Sequence, residues 1–234
     1  MPALAFYIDA PLQSWGASSK FQNRETNSFP TKSALIGILA AALGIDKWDS
    51  DEAEKLQVLT ALKLTVVKLL KEKAPITRLS DFHTIGGGYD KVLQKMHISS
   101  KASGGPFGTV ITRRSYLNDA RFIALFEGEQ SLLKKIQIAL LNPTWGLWFG
   151  RKHCLPASPL SPTLADDPQK ALDALLDLLP DYLPAPLQSL EYQRESDEGV
   201  FFQSDQPVAF GQHHGAVPQP YTARGIVHHR PDAS

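Results

Sequence analysis

Basic and aromatic side chains recur together along this chain, and that mixture suits phosphate contact and base stacking. Lys20 and Arg24 share a polar stretch with Gln13, Trp15 and Phe21. Lys32 opens a helical pattern directly after Thr31, with Ser33 beside it. Arg113 and Arg114 precede Tyr116, and Arg151-Lys152-His153 follow an apolar run. Guanidinium forks, ammonium groups and the free N–H groups of a helix N-terminus all favour phosphate oxygens. Rings at Trp15, Phe21, Phe107 and Tyr116 suit stacking on splayed bases. The competing reading leaves the charges solvated and puts the rings in the core.

Other chemistry finds less support. Adjacent histidines such as His213-His214 point in opposite directions on a strand, so they do not ligate one metal together. No His-Glu-x-x-His spacing occurs, and the single cysteine, Cys154, excludes a disulfide framework or a cysteine zinc site. Gly86-Gly87-Gly88 lacks the Lys-Ser/Thr of a phosphate loop and reads as a hairpin tip. No Gly-x-Ser-x-Gly elbow is present. The expectation is therefore no metal, no cofactor and no catalytic residue.

The whole chain limits what such a site can be. Its 234 residues make one large domain, or one domain with an appendage, and 43% hydrophobic with 21% charged residues excludes disorder and a coiled coil. Lys+Arg and Asp+Glu balance at 24 each. A protein that coats nucleic acid over its whole surface is far more basic, so any such site here is local or shared with a partner. The first residues carry no basic leader, and Ala34 to Leu43 is about half the length that spans a bilayer. A cytoplasmic protein with no membrane partner is expected.

The elements that must position these residues follow from pattern. Leu4 to Ile8 reads as a buried strand and Pro11 to Pro30 as a surface loop. Thr31 is an N-cap, Lys32 to Leu43 a helix, and Gly44 its stop. Ala53–Leu59 predicts a short helix and Leu62–Leu70 a strand. Thr77–Thr84 and Thr109–Ser115 flank a Gly-rich region and predict an extended hairpin. Arg121–Phe126 reads as a strand, Glu129–Leu141 as an amphipathic helix and Thr144–Phe149 as a further strand. Beyond Arg151 the chain is proline-rich, with a helix at Pro168–Leu179 and short strands near Ser189–Arg194 and Pro207–Phe210. His228 to Ser234 is expected to fray. Strand, helix, strand, insertion, strand, helix, strand is the α+β, ferredoxin-like order.

Two blocks, Pro11-Leu12-Gln13-Ser14-Trp15-Gly16 and Phe29-Pro30-Thr31-Lys32-Ser33-Ala34-Leu35-Ile36-Gly37, resemble the opening of CRISPR-associated family five in its type I-E branch. Asp81-Phe82-His83-Thr84, Tyr116-Leu117-Asn118-Asp119-Ala120-Arg121-Phe122 and Gly150-Arg151-Lys152-His153-Cys154 agree in the same order. After Pro162 the resemblance is diffuse. It implies a non-catalytic subunit of the Cascade antiviral surveillance complex, one that caps the backbone filament and holds the 5′ handle of the crRNA. The implied fold is a ferredoxin-like (RRM-like, RAMP-type) palm over residues 1–150. A long thumb β-hairpin, about 77–115, lies between its second and third strands, and 151–234 forms a smaller β-containing extension.

The partners implied are the crRNA, the backbone subunit CasC, the large subunit CasA and, indirectly, target DNA. The expected RNA-binding residues are Gln13, Trp15, Lys20, Arg24, Thr31, Lys32, Ser33, His83, Lys101, Arg113, Arg114, Tyr116, Arg151 and Lys152. A rival reading comes from type I-C relatives, which cleave repeat RNA without metal through a base that activates the 2′-hydroxyl. Tyr89, Tyr116, His83, His97 and Lys101 are the parts available for it. The type I-E resemblance argues against cleavage, because those systems use a separate endoribonuclease. An adaptor without RNA contact gains ground if Lys32, Arg113 and Arg114 face only solvent or protein.

Overall fold

The computed structural model describes residues 1–16, 22–70, 75–85, 110–199, 201–211 and 221–231. Strand β1 (Ala3–Asp9) is apolar without alternation because both of its faces are covered. Leu4, Phe6 and Ile8 enter one core, and Ala3, Ala5 and Tyr7 enter a second on the other side. The chain then makes two short strands, β2 (Leu12–Gln13) and β3 (Asn23–Arg24), before helix α1 (Lys32–Leu43). Thr31 caps α1 by accepting from the Ala34 N–H, and Gly44 ends it in the left-handed conformation at φ +72°.

Helix α2 (Glu52–Thr60) and strand β4 (Lys63–Leu69) follow, then the paired strands β5 (Thr77–Ile85) and β6 (Val110–Asn118), strand β7 (Arg121–Glu127) and helix α3 (Gln130–Leu141). The C-terminal third holds β8 (Thr163–Ala165), α4 (Pro168–Leu176), β9 (Glu191–Glu195), β10 (Phe201–Pro207) and β11 (Tyr221–His229). Asp167 caps α4 through the Lys170 N–H, with Pro168 at its first turn.

Two sheets result. The larger has seven strands in the order β10-β11-β9-β4-β7-β1-β8, with antiparallel neighbours throughout. Leu35, Ile36 and Leu39 of α1 and Leu133 and Ile136 of α3 fill the core on one face. Leu172, Leu175 and Leu176 of α4 fill the core on the other. The smaller sheet is organised around β6, which pairs with β2, β3 and β5. Its β5–β6 ladder runs from Thr77 opposite Asn118 to Ile85 opposite Val110. The chain is thus a mixed α+β fold built on antiparallel sheets.

Three expectations are corrected. Thr144–Phe149 is not a strand, because its first amides are used to close α1: Thr144 N–H donates to the Ala42 carbonyl and Trp145 N–H to that of Ala41. The place beside β1 is taken by β8 instead. Pro207–Phe210 contributes only its first residue to a strand, since β10 ends at Pro207. His228 and His229 are not frayed but lie in β11, paired with Gln193 and Tyr192 of β9. The tip of the predicted hairpin, with Gly86–Gly88, Tyr89, His97, Lys101 and Phe107, lies outside the described residues, as do Phe21 and His213-His214.

Candidate nucleic-acid interface

Strand β6 gathers the basic residues. Its register places Arg113 opposite Asn23 and Arg114 opposite Arg24 on the parallel strand β3. On its other side Asp81 of β5 lies opposite Arg114 and Phe82 opposite Arg113. Alternation puts Arg114 and Tyr116 on one face of β6 and Arg113 and Ser115 on the other. Ser115 Oγ donates to Glu25 on Arg113's side, and Arg114 Nε donates to Thr112 Oγ1 on its own.

Arg151 reaches this sheet from the turn that follows Phe149. Its guanidinium carbon lies 4.3 Å from the centroid of the Tyr116 ring, a cation–π arrangement. Nη1 donates to the Ser115 carbonyl at 3.3 Å and Nη2 to the Arg24 carbonyl at 2.9 Å. The planar fork is therefore fixed by one ring and two strands, which a lysine cannot reproduce. His153 packs against the same tyrosine, its ring centroid 5.4 Å from that of Tyr116. Arg24, Arg113, Lys152 and His153 are exposed, and Arg114 and Arg151 half-buried. Arg24 and Arg114 on adjoining strands, with Arg151 on the turn beside them, present positive charge that needs little reordering to meet a phosphate chain.

The turn itself is made possible by Gly150. Its φ is +95°, and a Cβ there would lie 1.8 Å from the Ser14 carbonyl oxygen. The Ser14 N–H donates to the Phe149 carbonyl, while Phe149 N–H and Cys154 N–H donate to the Cys154 and Arg151 carbonyls. Cys154 is buried, and burial pushes its thiol pKa up. That favours an inert thiol.

Several expected contact residues serve the interior instead. Trp15 is fully buried against Phe149, with its indole N–H on Gln13 Oε1. Gln13 is buried too and donates to the Ala120 carbonyl. Neither side chain is open to a base. Thr31 is spent on its cap, and Ser33, half-buried, lies 3.3 Å from it, hydroxyl to hydroxyl. Tyr116 is buried under Arg151, so it supports the cation rather than stacking on a base.

Lys32 is the largest correction. The sequence marks the α1 N-terminus as a phosphate site, but it already holds an anion: the Lys32 backbone N–H donates to Asp205 Oδ2 at 2.7 Å. The Lys32 ammonium is buried and donates to the Thr60 carbonyl at 2.7 Å and to both oxygens of Glu195 at 2.8 Å. Burial lowers its pKa, against the opposing pull of Glu195. Asp205 in turn is gripped by Arg224, whose Nε and Nη2 donate to its two oxygens at 2.6 and 3.0 Å. The chain's own carboxylates fill the place assigned to RNA.

His83 is half-buried on β5, opposite Thr112, and its Nδ1 is buried without a hydrogen-bond partner. Lys20 and Lys101 lie outside the described residues. Among the described residues, no three His, Cys, Asp or Glu side chains converge as a metal ion would require, and no helix is long and apolar enough to cross a membrane. Sequence reasoning passed over three exposed tryptophans, Trp48, Trp145 and Trp148, whose only signal was their number in a chain with four.

Residues 3–209 match the family model described as CRISPR-associated protein (Cas_Cas5). The chain is 32% identical over 177 residues to the CRISPR system Cascade subunit CasD of Escherichia coli (strain K12), covering 72% of this chain and 75% of that one. It is similar to a chain in a solved CRISPR RNA-guided surveillance complex, with a TM-score of 0.71 and 28% identity over 98% of this chain and 90% of that one. A crystal structure of a Cas protein gives a TM-score of 0.57 and 27% identity, covering 97% and 93%.

Proposed function

The chain belongs to the Cas5 family of CRISPR-associated proteins, and on that premise we propose that it is a crRNA-binding subunit of a Cascade-type surveillance complex. The observation that carries the proposal is Arg151, clamped over Tyr116 and tied to the backbone of β3 and β6 on the face of β6 that bears Arg114, the register partner of Arg24. A rigid cluster of guanidinium groups on a chain of zero net charge suits a short, bent stretch of RNA and not a long duplex.

In this reading β4, β7, β1 and β8, with α1 and α3, are a ferredoxin-like palm, which the order of those four strands in the sheet supports. The β5–β6 pair is the stem of a thumb inserted between the palm's second and third strands. The segment from 151 onward gives the palm its fourth strand, β8, and then forms an extension whose strands lengthen the same sheet through β9. Arg24, Arg113, Arg114, Arg151 and His83 are the described residues assigned to RNA, while Lys152 lies over the Trp148 ring. Capping of a filament of CasC, seating of CasA and retention of the crRNA 5′ handle, all in the cytoplasm, complete this proposal, and the CasD likeness supports them.

The protein acts as a binder. His83 stands on a strand with Thr112 as its cross-strand neighbour, and its buried Nδ1 has no hydrogen-bond partner to orient the ring as a general base. The purified chain incubated with labelled repeat RNA in EDTA tests the proposal. A mobility shift with intact RNA is expected. Cleavage would replace the binder with a metal-free endoribonuclease, and no shift would remove RNA from its function.

A further inference from the structure

Helix α1 has two unlike sides. Leu35, Ile36 and Leu39 are buried in the core, whereas Ser33, Ala34, Gly37 and Ala41 line an open groove of about 670 Å³. Three tryptophans line the groove with them. Trp48, Trp145 and Trp148 remain 53%, 42% and 36% exposed. Exposed indoles gathered round one concavity are unusual on a free-standing surface and mark a place where another molecule sits. None of the three takes part in the arginine cluster described above.

The groove's chemistry selects the occupant. The Lys47 ammonium lies 4.8 Å from the Trp48 ring centroid, and the Lys152 ammonium 5.9 Å from that of Trp148. Each of those two rings carries an ammonium group on one face, which makes the rim of the groove attractive to carboxylates. What remains open is an apolar trough rimmed by two ammonium groups. Asp46 also lines the groove, where its Oδ1 accepts the Trp48 backbone N–H. The groove also adjoins the arginine cluster, since Gly150 and Lys152 line it on either side of Arg151.

We infer that this groove docks a segment of a protein partner that inserts an apolar side chain over α1 and sets carboxylates against Lys47 and Lys152. The inference rests on the assembly reading above, because it needs a protein neighbour held beside the RNA. Large aromatic anchors at the centre of an interface and opposite charges at its rim are the usual division of labour.

Oxidative footprinting of tryptophan tests it on the full chain alone, the chain with repeat RNA, and the ribonucleoprotein assembled by co-expression with its companion subunits. Trp15, fully buried, is the internal reference. The three groove indoles should oxidise in the first two samples and be protected by about tenfold in the third. Carbodiimide should then couple Lys47 or Lys152 to an Asp or Glu of a protein subunit. Protection by RNA alone would make the groove a base-binding site and overturn the inference; so would exposed indoles in an assembled particle. If no particle assembles, the functional reading itself fails and the docking site falls with it, an outcome recognisable before any footprint is taken. Trp48→Ala with Trp145→Ala should release the cross-linked subunit while the crRNA content per chain stays the same. Loss of both together would count against a separate docking site.

Discussion

The ammonium group of Lys32, at the start of α1, lies 2.8 Å from both carboxylate oxygens of Glu195 on β9, 163 residues later in the chain. This pair joins the helical layer to the C-terminal strands, and the Asp205–Arg224 pair continues it. Removing one member of such a buried pair leaves the other uncompensated. Lys32→Met should cost about 3 kcal/mol of folding stability, and Lys32→Met with Glu195→Gln distinctly less than the sum of the single changes. Urea denaturation of the four proteins measures this. Additive losses would mean that the two groups are not coupled.

Arg151 should be the residue whose removal most weakens RNA binding without unfolding the chain. Arg151→Ala and Arg151→Lys should both reduce affinity, because a single ammonium cannot lie over Tyr116 and reach two carbonyls. Arg113→Ala with Arg114→Ala should lower affinity too. For every phosphate that is no longer neutralised, the dependence of log K on log salt should flatten by about one unit. Fluorescence anisotropy over a salt series gives both quantities. An unchanged slope would move the RNA elsewhere.

Gly150→Ala should damage both stability and binding. The residue would have to hold φ +95° while its Cβ met the Ser14 carbonyl, which is backbone and cannot swing aside. A loss of about 2 kcal/mol or more is expected, together with weaker RNA binding as Arg151 leaves Tyr116. Thermal melts and anisotropy on the same preparation report the two effects side by side.

Cys154 gives a pH signature. Burial raises its thiol pKa in the folded protein, so the unfolded chain releases the proton first. Stability linked to this group is complete below the unfolded thiol pKa of about 8.5 and is lost as pH climbs toward the folded one. Between about pH 8 and 10 the wild type should therefore lose stability more steeply than Cys154→Ala. Native Cys154 should also react with a thiol reagent about a hundredfold more slowly than in denaturant. Equal rates would show that the 150–154 turn opens freely.

How far the sequence can be read depends on how local each determinant is. Thr31, the Ala- and Leu-rich run and Gly44 lie together in the chain, and α1 follows from Lys32 to Leu43 as they predict. The β5–β6 pairing is legible from its flanks for the same reason. Thr144–Phe149 has a strand's composition, but whether its amides complete a ladder or close α1 is decided by tertiary contact. Lys32 resembles a phosphate ligand because a helix start rich in N–H groups attracts any anion; that Asp205 and Glu195 fill the place is invisible until distant strands meet. Arg113, Arg114 and Arg151 are recognisable as basic residues, yet only the parallel pairing of β3 with β6 brings Arg24 alongside them.

The order β10-β11-β9 also carries a message about time. A ribosome makes β10 before β11, but in the finished sheet β11 lies between β9 and β10. Strand β10 therefore emerges with helix α1 to lean on through Asp205 but with no strand to pair with, and its ladder must wait until Tyr221–His229 has been translated. During that wait Phe201 and Phe202, still 62% and 75% exposed even in the native fold, stand on an unpaired edge. Nascent chains stalled short of residue 221 should for this reason be the ones that chaperones hold.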